Sequence, residues 1–430
     1  MLVQQVQEMD ELQTLLDRMN FLHQVSQKLS EKKALSQLLR EIMEDSKLVM
    51  NAEASSLLLY DKDEKHLYFQ VATGKRSRAV KKFVIPIETG IAGWVATHRK
   101  PLNIEDCYTD PRFNPDFDKK SKFTTKSMIC VPLLRKHKLI GVMQVINKTN
   151  GEPFDDVDTH IFETLAAQCA IAIENAQLVE EQLHAEMIKV ELQTARAIQL
   201  NLLPKKLPEY KDISVAARLE AAAEVGGDYY NIIRLNDHQS LFFIADVTGK
   251  GIPAALIVST IHSSLQMFLN MHKADLNLID FATTLNHVLI ESTTMDKFAT
   301  CWFGLYNHQT RELTSLNAGH NPPFIFRKSH TEPIKLETGG LFLGGIEVPL
   351  ESETVTLLPD DVMVIYTDGV TEAWNKQEEE YDEPRLIRVV ETNRNATPET
   401  VLDAIFADVY EHVGNAKQSD DVTCFVVKVG

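Results

Sequence analysis

The 430-residue chain has no CxxC pair; its five cysteines stand singly at 107, 130, 169, 301 and 424. That excludes zinc ribbons and thioredoxin-like redox motifs, and it points to a reducing, cytoplasmic compartment. A cysteine-phosphatase loop is missing too, because Arg135 falls one position short of the six-residue step from Cys130. The opening residues, MLVQQVQEMDELQ, put acidic side chains where a secretory signal is basic and then apolar. No run approaches the roughly 18 apolar residues that span a bilayer, so a soluble protein with no membrane partner is expected. Positive charge is scarce: 44 Lys and Arg against 61 Asp and Glu leave a net charge of −17. Such a field repels phosphates and argues against nucleic acid as a partner. It suits a chain that gathers carboxylates around a cation.

What is present is a globular composition, 44% hydrophobic and 24% charged, in a chain long enough for two domains. Residues 1–30 lack Gly and Pro and read as a helix, with Met9, Leu12, Leu16 and Met19 at three- and four-residue steps that could pair two chains as a coiled coil. A mixed region follows over 31–178. Its strands are expected at Asn51–Tyr60 and His66–Thr73, and as a hairpin at Ser127–Leu134 and Leu139–Ile146. A helix over Asp155–Ala176 closes it, with Asp155 as cap. Residues 179–204 form a Gly-free linker helix ended by Pro204, and Ala176, Val179, Leu183, Met187 and Val190 step by 3, 4, 4 and 3. That is a heptad with a stutter, read either as a solvated seam or as a relay in a dimer. From 205 to 430 the chain turns to strands and Gly/Pro turns.

Four segments of this last region put aspartates where turns meet apolar strands: VGGDYYN (225–231), ADVTGKGIPAA (245–255), YTDGVTEA (366–373) and SDDVT (419–423). Alone, each aspartate reads as a turn or helix cap. Together they would raise one another's pKa values unless a cation neutralised them. Oxygen ligands without a His or Cys cluster favour magnesium or manganese, and a two-ion site suits phosphoester hydrolysis.

The ordered set VGGDYY, ADVTGKGIPAAL, NAGHNPPFI, YTDGVTEA and SDDVT, with the RAIQLNLLP lead-in, resembles the SpoIIE/RsbU-like branch of metal-dependent serine/threonine protein phosphatases, the type 2C superfamily. The resemblance implies an α+β fold, an α-β-β-α sandwich with a binuclear Mn2+ or Mg2+ site at one edge. It implies that Asp246 bridges both ions, that the Val247 carbonyl is a further ligand, and that Asp368 and Asp420 hold the first ion. Asp228 would serve near the second, and Asp421 follows the matched ligand. Water activated by the ions would attack a phosphoserine or phosphothreonine without a covalent intermediate. Asn231 stands where the branch often has Asp, and Lys250 is the basic residue nearest the motifs. His320 and Asn321 read as turn-fixing. In similar proteins the substrate is a phosphorylated anti-anti-sigma (STAS) protein.

Residues 31–178 resemble a GAF domain, through ASSLLLYD (54–61), ETGIAGWVATHRKPLNIED (88–106) and the stretch 127–158. Asn147, Lys148, Phe154 and Asp158 match four positions of the nucleotide-binding signature, so they are candidate contacts to a small-molecule ligand; the fifth, normally Glu, is Thr159. The plainer reading of Asn147 and Lys148 is a salt-linked turn fixing the next helix. Trp94 and Phe113 are candidate pocket walls. The expected protein is a homodimeric signalling phosphatase regulated by its GAF domain. The rivals are a non-catalytic sensor whose C-terminal domain only docks partners, and a phosphatase of small phosphoesters.

Overall fold

The computed structural model describes residues 16–430 apart from 17–18, 26, 29–33, 62–64, 76, 78–82, 273–274, 295 and 348. Most of the helix expected over 1–30, including Met9 and Leu12, lies outside the described residues. Leu16 and Met19 are helical and exposed, whereas Phe21 and Val25 are buried. The chain divides into two compact units, Met1–Ala185 and Glu186–Gly430.

The first unit runs α1 (Leu35–Val49), β1 (Ala52–Tyr60), β2 (His66–Ala72), β3 (Val84–Pro86), α2 (Gly90–His98), β4 (Leu102–Ile104), α3 (Asp116–Ser121), β5 (Met128–Arg135) and β6 (Lys138–Lys148). Its antiparallel sheet has the order β3-β2-β1-β6-β5-β4. Both faces are covered, which is why SSLLLY is a continuous apolar run. Leu57 and Leu59 pack with α1 on one face, and Leu58 packs with Val95 of α2 on the other.

The next helix, α4, is continuous over Asp156–Leu200, 45 residues or about 68 Å at the usual rise. The closing helix and the linker are thus one element, since no Gly or Pro interrupts them. Asp155 caps it, accepting the Asp158 N–H at 2.7 Å. Ile161, Phe162, Leu165, Cys169 and Ile173 are buried, and Val179, Leu183, Met187 and Val190 are exposed.

The second unit continues with β7 (Ile213–Glu220), β8 (Asp228–Arg234), β9 (Gln239–Val247), α5 (Ile252–His272), α6 (Leu278–Ser292), β10 (Ala299–Asn307), β11 (Glu312–Ala318), β12 (Phe324–Phe326), β13 (Ile334–Lys335), β14 (Gly339–Gly340), β15 (Glu353–Thr356), β16 (Val362–Tyr366), α7 (Asp368–Thr371), α8 (Glu383–Asn393), α9 (Pro398–Val413) and β17 (Val422–Val429). One sheet has the order β14-β11-β10-β9-β8, with β15 on β11, and the other β13-β12-β16-β17-β7. Tyr230, Phe242, Ile244, Trp302, Ile365 and Phe425 form the layer between them. Alternate residues of the same strands face outward, toward α5 and α6 on one side and α8 and α9 on the other. The result is the expected α-β-β-α sandwich.

Among the described residues α5 alone is long and apolar enough to cross a membrane. Its residues Ala254, Ile257, Val258, Ile261, Leu265 and Leu269 are buried in the core beneath its own sheet, the pattern of a core helix.

Candidate metal centre

The period of two that packs the sandwich also builds its polar edge. Continuing the inward rows past the apolar residues, Tyr230 leads to Asp228, Ile244 to Asp246, Trp302 to Thr300, Ile365 to Thr367 and Phe425 to Thr423. Asp228 and Asp246 are cross-strand partners, as are Asp246 and Thr300. Asp368 opens α7 directly after β16, and Asp420 and Asp421 precede β17. Five aspartates distant in sequence therefore lie at one edge.

Asp228 is buried, and its Oδ2 accepts from the Thr367 hydroxyl at 2.8 Å and from the Thr423 hydroxyl. The Thr423 N–H in turn donates to the Thr367 hydroxyl at 3.1 Å. Sequence reading missed these threonines. The signal was there, in hydroxyls two positions beyond an inward aromatic or aliphatic residue.

Asp421, the candidate that follows Asp420, also has a structural role. Its Oδ1 accepts the Ala222 N–H at 2.8 Å, and its Oδ2 accepts the Gly227 N–H at 2.7 Å and the Asp228 N–H at 3.4 Å. The carboxylate is held by backbone donors and anchors the 222–228 turn at this edge. Gly226 and Gly227 are required there. A Cβ on Gly226 would sit 2.2 Å from Asp421 Oδ2, and one on Gly227 2.6 Å from the Val247 carbonyl oxygen. Asn231, three residues after Asp228, falls on the outward face and donates to the Tyr229 hydroxyl at 2.8 Å, and that hydroxyl pairs with His262 at 2.9 Å. Its identity therefore does not bear on the acidic edge. His320 is fixed by Asn317 through its own N–H at 2.8 Å and bonds Thr300 at 2.9 Å, a turn-fixing role.

The carboxylates feel one another. Burial, then Asp368 and Asp420, push Asp246 up to about 7, against a hydrogen bond with Asp228. Burial, then Asp246 and Asp421, hold Asp228 well above the carboxylate range despite its two threonines. Asp368 is raised by burial and then by Asp420, partly offset by the Gly369 N–H and Lys250. Lys250 Nζ lies 3.0 Å from Asp420 Oδ2 and also donates to the Ser419 carbonyl. Among the described residues no three Asp, Glu, His or Cys side chains close into a cage. The donor set nonetheless fits a hard divalent cation: several carboxylates destabilised by proximity, beside the Val247 carbonyl.

In the first unit, Lys148, Phe154 and Asp158 are brought together, with Asn147 beside Lys148 in the chain. Lys148 Nζ pairs with Asp158 Oδ2 at 2.8 Å, with side chains 10% and 0% exposed, and it lies 5.8 Å over the Phe154 ring. Asn147, at φ +56°, accepts from the Lys126 N–H at 2.6 Å and donates to the Thr124 carbonyl at 2.8 Å and to Glu53 at 3.0 Å. The Lys148–Asp158 pair ties the start of α4 to β6, and Asn147 ties β6 to the segment before β5 and to β1. A separate cavity of about 120 Å³ lies on the α2 side, lined by Ser56, Phe69, Phe83, Ile91, Phe113, Phe117, Asp118, Gln144 and neighbours. None of the four signature residues lines it. Phe113 does; Trp94 instead stacks on His98 at 4.1 Å.

The geometry agrees with comparisons to known proteins. Residues 236–430 match the SpoIIE (stage II sporulation protein E) family and residues 34–173 the GAF domain. Protein IcfG of Synechocystis sp. is 29% identical over 279 residues, 58% of this chain and 43% of its own length. Phosphoserine phosphatase RsbU of Bacillus subtilis is 27% identical over 243 residues, 56% of this chain and 70% of its own. The chain thus spans less than half of IcfG. The SiaA-PP2C domain of Pseudomonas aeruginosa superposes with a TM-score of 0.50 at 17% identity, over 57% of this chain and 97% of that one, which bears on fold alone. The chain thus carries a C-terminal domain that matches the SpoIIE family, preceded by a domain that matches the GAF family.

Proposed function

We propose that this protein is a cytoplasmic, metal-dependent phosphatase that removes phosphate from phosphoserine or phosphothreonine on a protein of the STAS anti-anti-sigma type. The observation that carries the reading is the acidic edge: Asp228, Asp246, Asp368 and Asp420 at one end of the sandwich, three of them driven toward protonation by burial and by one another. Two Mn2+ or Mg2+ ions held by these residues and the Val247 carbonyl would polarise water and take up charge on the phosphoryl oxygens. Thr367 and Thr423 fix the rotamer of Asp228. Asp421 sets the turn that delivers it. Lys250 supplies the positive charge beside Asp420, where an incoming phosphate would otherwise meet only carboxylates. Asp420 and Lys250 are partly exposed at this edge, within reach of a phosphorylated loop of a folded partner.

The GAF cavity is the candidate receptor for a small molecule, and α4 the element that joins it to the phosphatase unit. The exposed seam Val179, Leu183, Met187 and Val190 supports pairing of two copies through this helix.

The test measures phosphate release from a phosphoserine-bearing STAS protein with Mn2+, beside p-nitrophenyl phosphate. Wild type should turn over the protein at least ~100-fold faster than Asp246→Asn does, and prefer it to the small ester. Equal rates for wild type and variant would leave only a docking module.

A further inference from the structure

The last turn of α4 touches the turn that presents Asp228. Gln199 Nε2 donates to the Gly226 carbonyl at 2.7 Å, and Gln199 Oε1 accepts the Gly226 N–H at 3.1 Å. One primary amide thereby satisfies both polar groups of a single backbone residue, as a neighbouring strand would. The next peptide, Gly227, is held from the other side by Asp421 at 2.7 Å, and Asp228 follows.

Two adjacent glycines have no side chains with which to fix their own course, and they lose the most backbone freedom on ordering. This pair is ordered from outside, by Gln199 and Asp421. The amide sits in a narrow cleft whose walls include Arg196, Leu200, Asp228 and Tyr229, so the helix end and the carboxylate share one small space. Leu202 and Leu203, just past the helix, pack against the phosphatase core and fix the height of this contact. Hydrogen bonds weaken steeply beyond ordinary distances. A shift of α4 by about 1 Å, or a turn by a fraction of its 100° per residue, would break both.

We propose that Gln199 is a positioning residue that reports the setting of α4 to the metal centre. It holds the Gly226–Gly227 turn in the course that presents Asp228. When the helix end withdraws, the turn relaxes and ion affinity falls, while the other ligands stay in place. The proposal rests on the reading of Asp228 as an ion ligand.

The test uses the full chain, with Gln199→Ala and Gln199→Glu. Alanine keeps helix propensity and removes both hydrogen bonds; glutamate keeps the acceptor and sets a carboxylate against the Gly226 carbonyl. The first measurement is hydrogen exchange in EDTA. Peptides over Gly226–Asp228 should exchange at least ~10-fold faster in both variants, with β9 and β10 unchanged. The second is calorimetric titration with Mn2+ alone, where the dissociation constant should rise about tenfold in each. Phosphate release at saturating Mn2+ should stay within about twofold of wild type, a split that general destabilisation would not give. Wild-type exchange at the turn together with wild-type Mn2+ affinity overturns the proposal, as does lost affinity that appears only with faster exchange throughout the unit. If the wild-type chain takes up no Mn2+, the ion reading falls and the proposed control of affinity falls with it; the exchange measurement still decides whether Gln199 holds the turn.

Discussion

Replacing Asp246 by Asn should abolish phosphatase activity and yet stabilise the ion-free fold near neutral pH. The carboxyl is pushed from 3.8 up to about 7, chiefly by burial and then by Asp368 and Asp420. Between those values the native state holds a proton that the unfolded chain has released, so stability falls as pH rises through this window. Three units at 1.36 kcal/mol each set a ceiling of about 4 kcal/mol, and partial exposure to water reduces it to roughly 2–4 kcal/mol. Asparagine cannot ionise and carries none of this cost. Hydrogen exchange of β9 amides in EDTA reads the effect locally, without assuming that a two-unit chain unfolds in one step. Comparing the two proteins at each pH cancels the intrinsic rate. At pH 7.5 the variant should exchange ~30-fold more slowly than wild type, corresponding to about 2 kcal/mol, and at pH 4 the two should converge. A variant that exchanges faster than wild type at pH 7.5 would show that the carboxylates do not repel one another in the fold, and the case for an ion site would fail with it.

Asp421→Asn should shift stability the other way. Asparagine sets an NH2 where one carboxylate oxygen now accepts backbone N–H groups, costing about 2–4 kcal/mol in EDTA, read as faster exchange over residues 222–228. An unchanged turn would return Asp421 to the ion. In the GAF unit, Lys148→Ala leaves the fully buried Asp158 without its cation and should destabilise that unit by about 3–5 kcal/mol, seen by calorimetry as a lower first transition. Under the competing assignment of Lys148 to ligand recognition, that transition would not move.

The acidic edge was legible because each aspartate ends or begins a strand whose apolar run is plain in the sequence. LFFIA runs into Asp246 and VMVIY precedes Asp368 by one residue, so strand ends and candidate ligands announce each other. The anchoring role of Asp421 was not legible, because adjacency to Asp420 carries no information about which way either carboxylate turns. That is decided by three backbone N–H groups nearly 200 positions upstream. The GAF signature residues carry a structural role of their own. Asn147, Lys148, Phe154 and Asp158 are spaced as a turn and a helix start require, and a lock on α4 needs that spacing whether or not the domain binds anything. The cavity walls, from Ser56 to Gln144, come from segments that only the sheet brings together. Gln199 looked like one more polar residue on a solvated helix, since its partner is a backbone with no side chain to pair by.

Because the acidic edge and the aromatic layer lie on the same face of the same strands, neither can change frame without the other. Deleting one residue within β8 would swing Asp228 out beneath α5 and turn the Tyr229 ring inward, into the place of Tyr230. Indels in these strands should consequently be lethal to chemistry and folding at a stroke, whereas the connecting loops are free to vary in length. Diversification of substrate choice in such a scaffold is thus channelled into its loops.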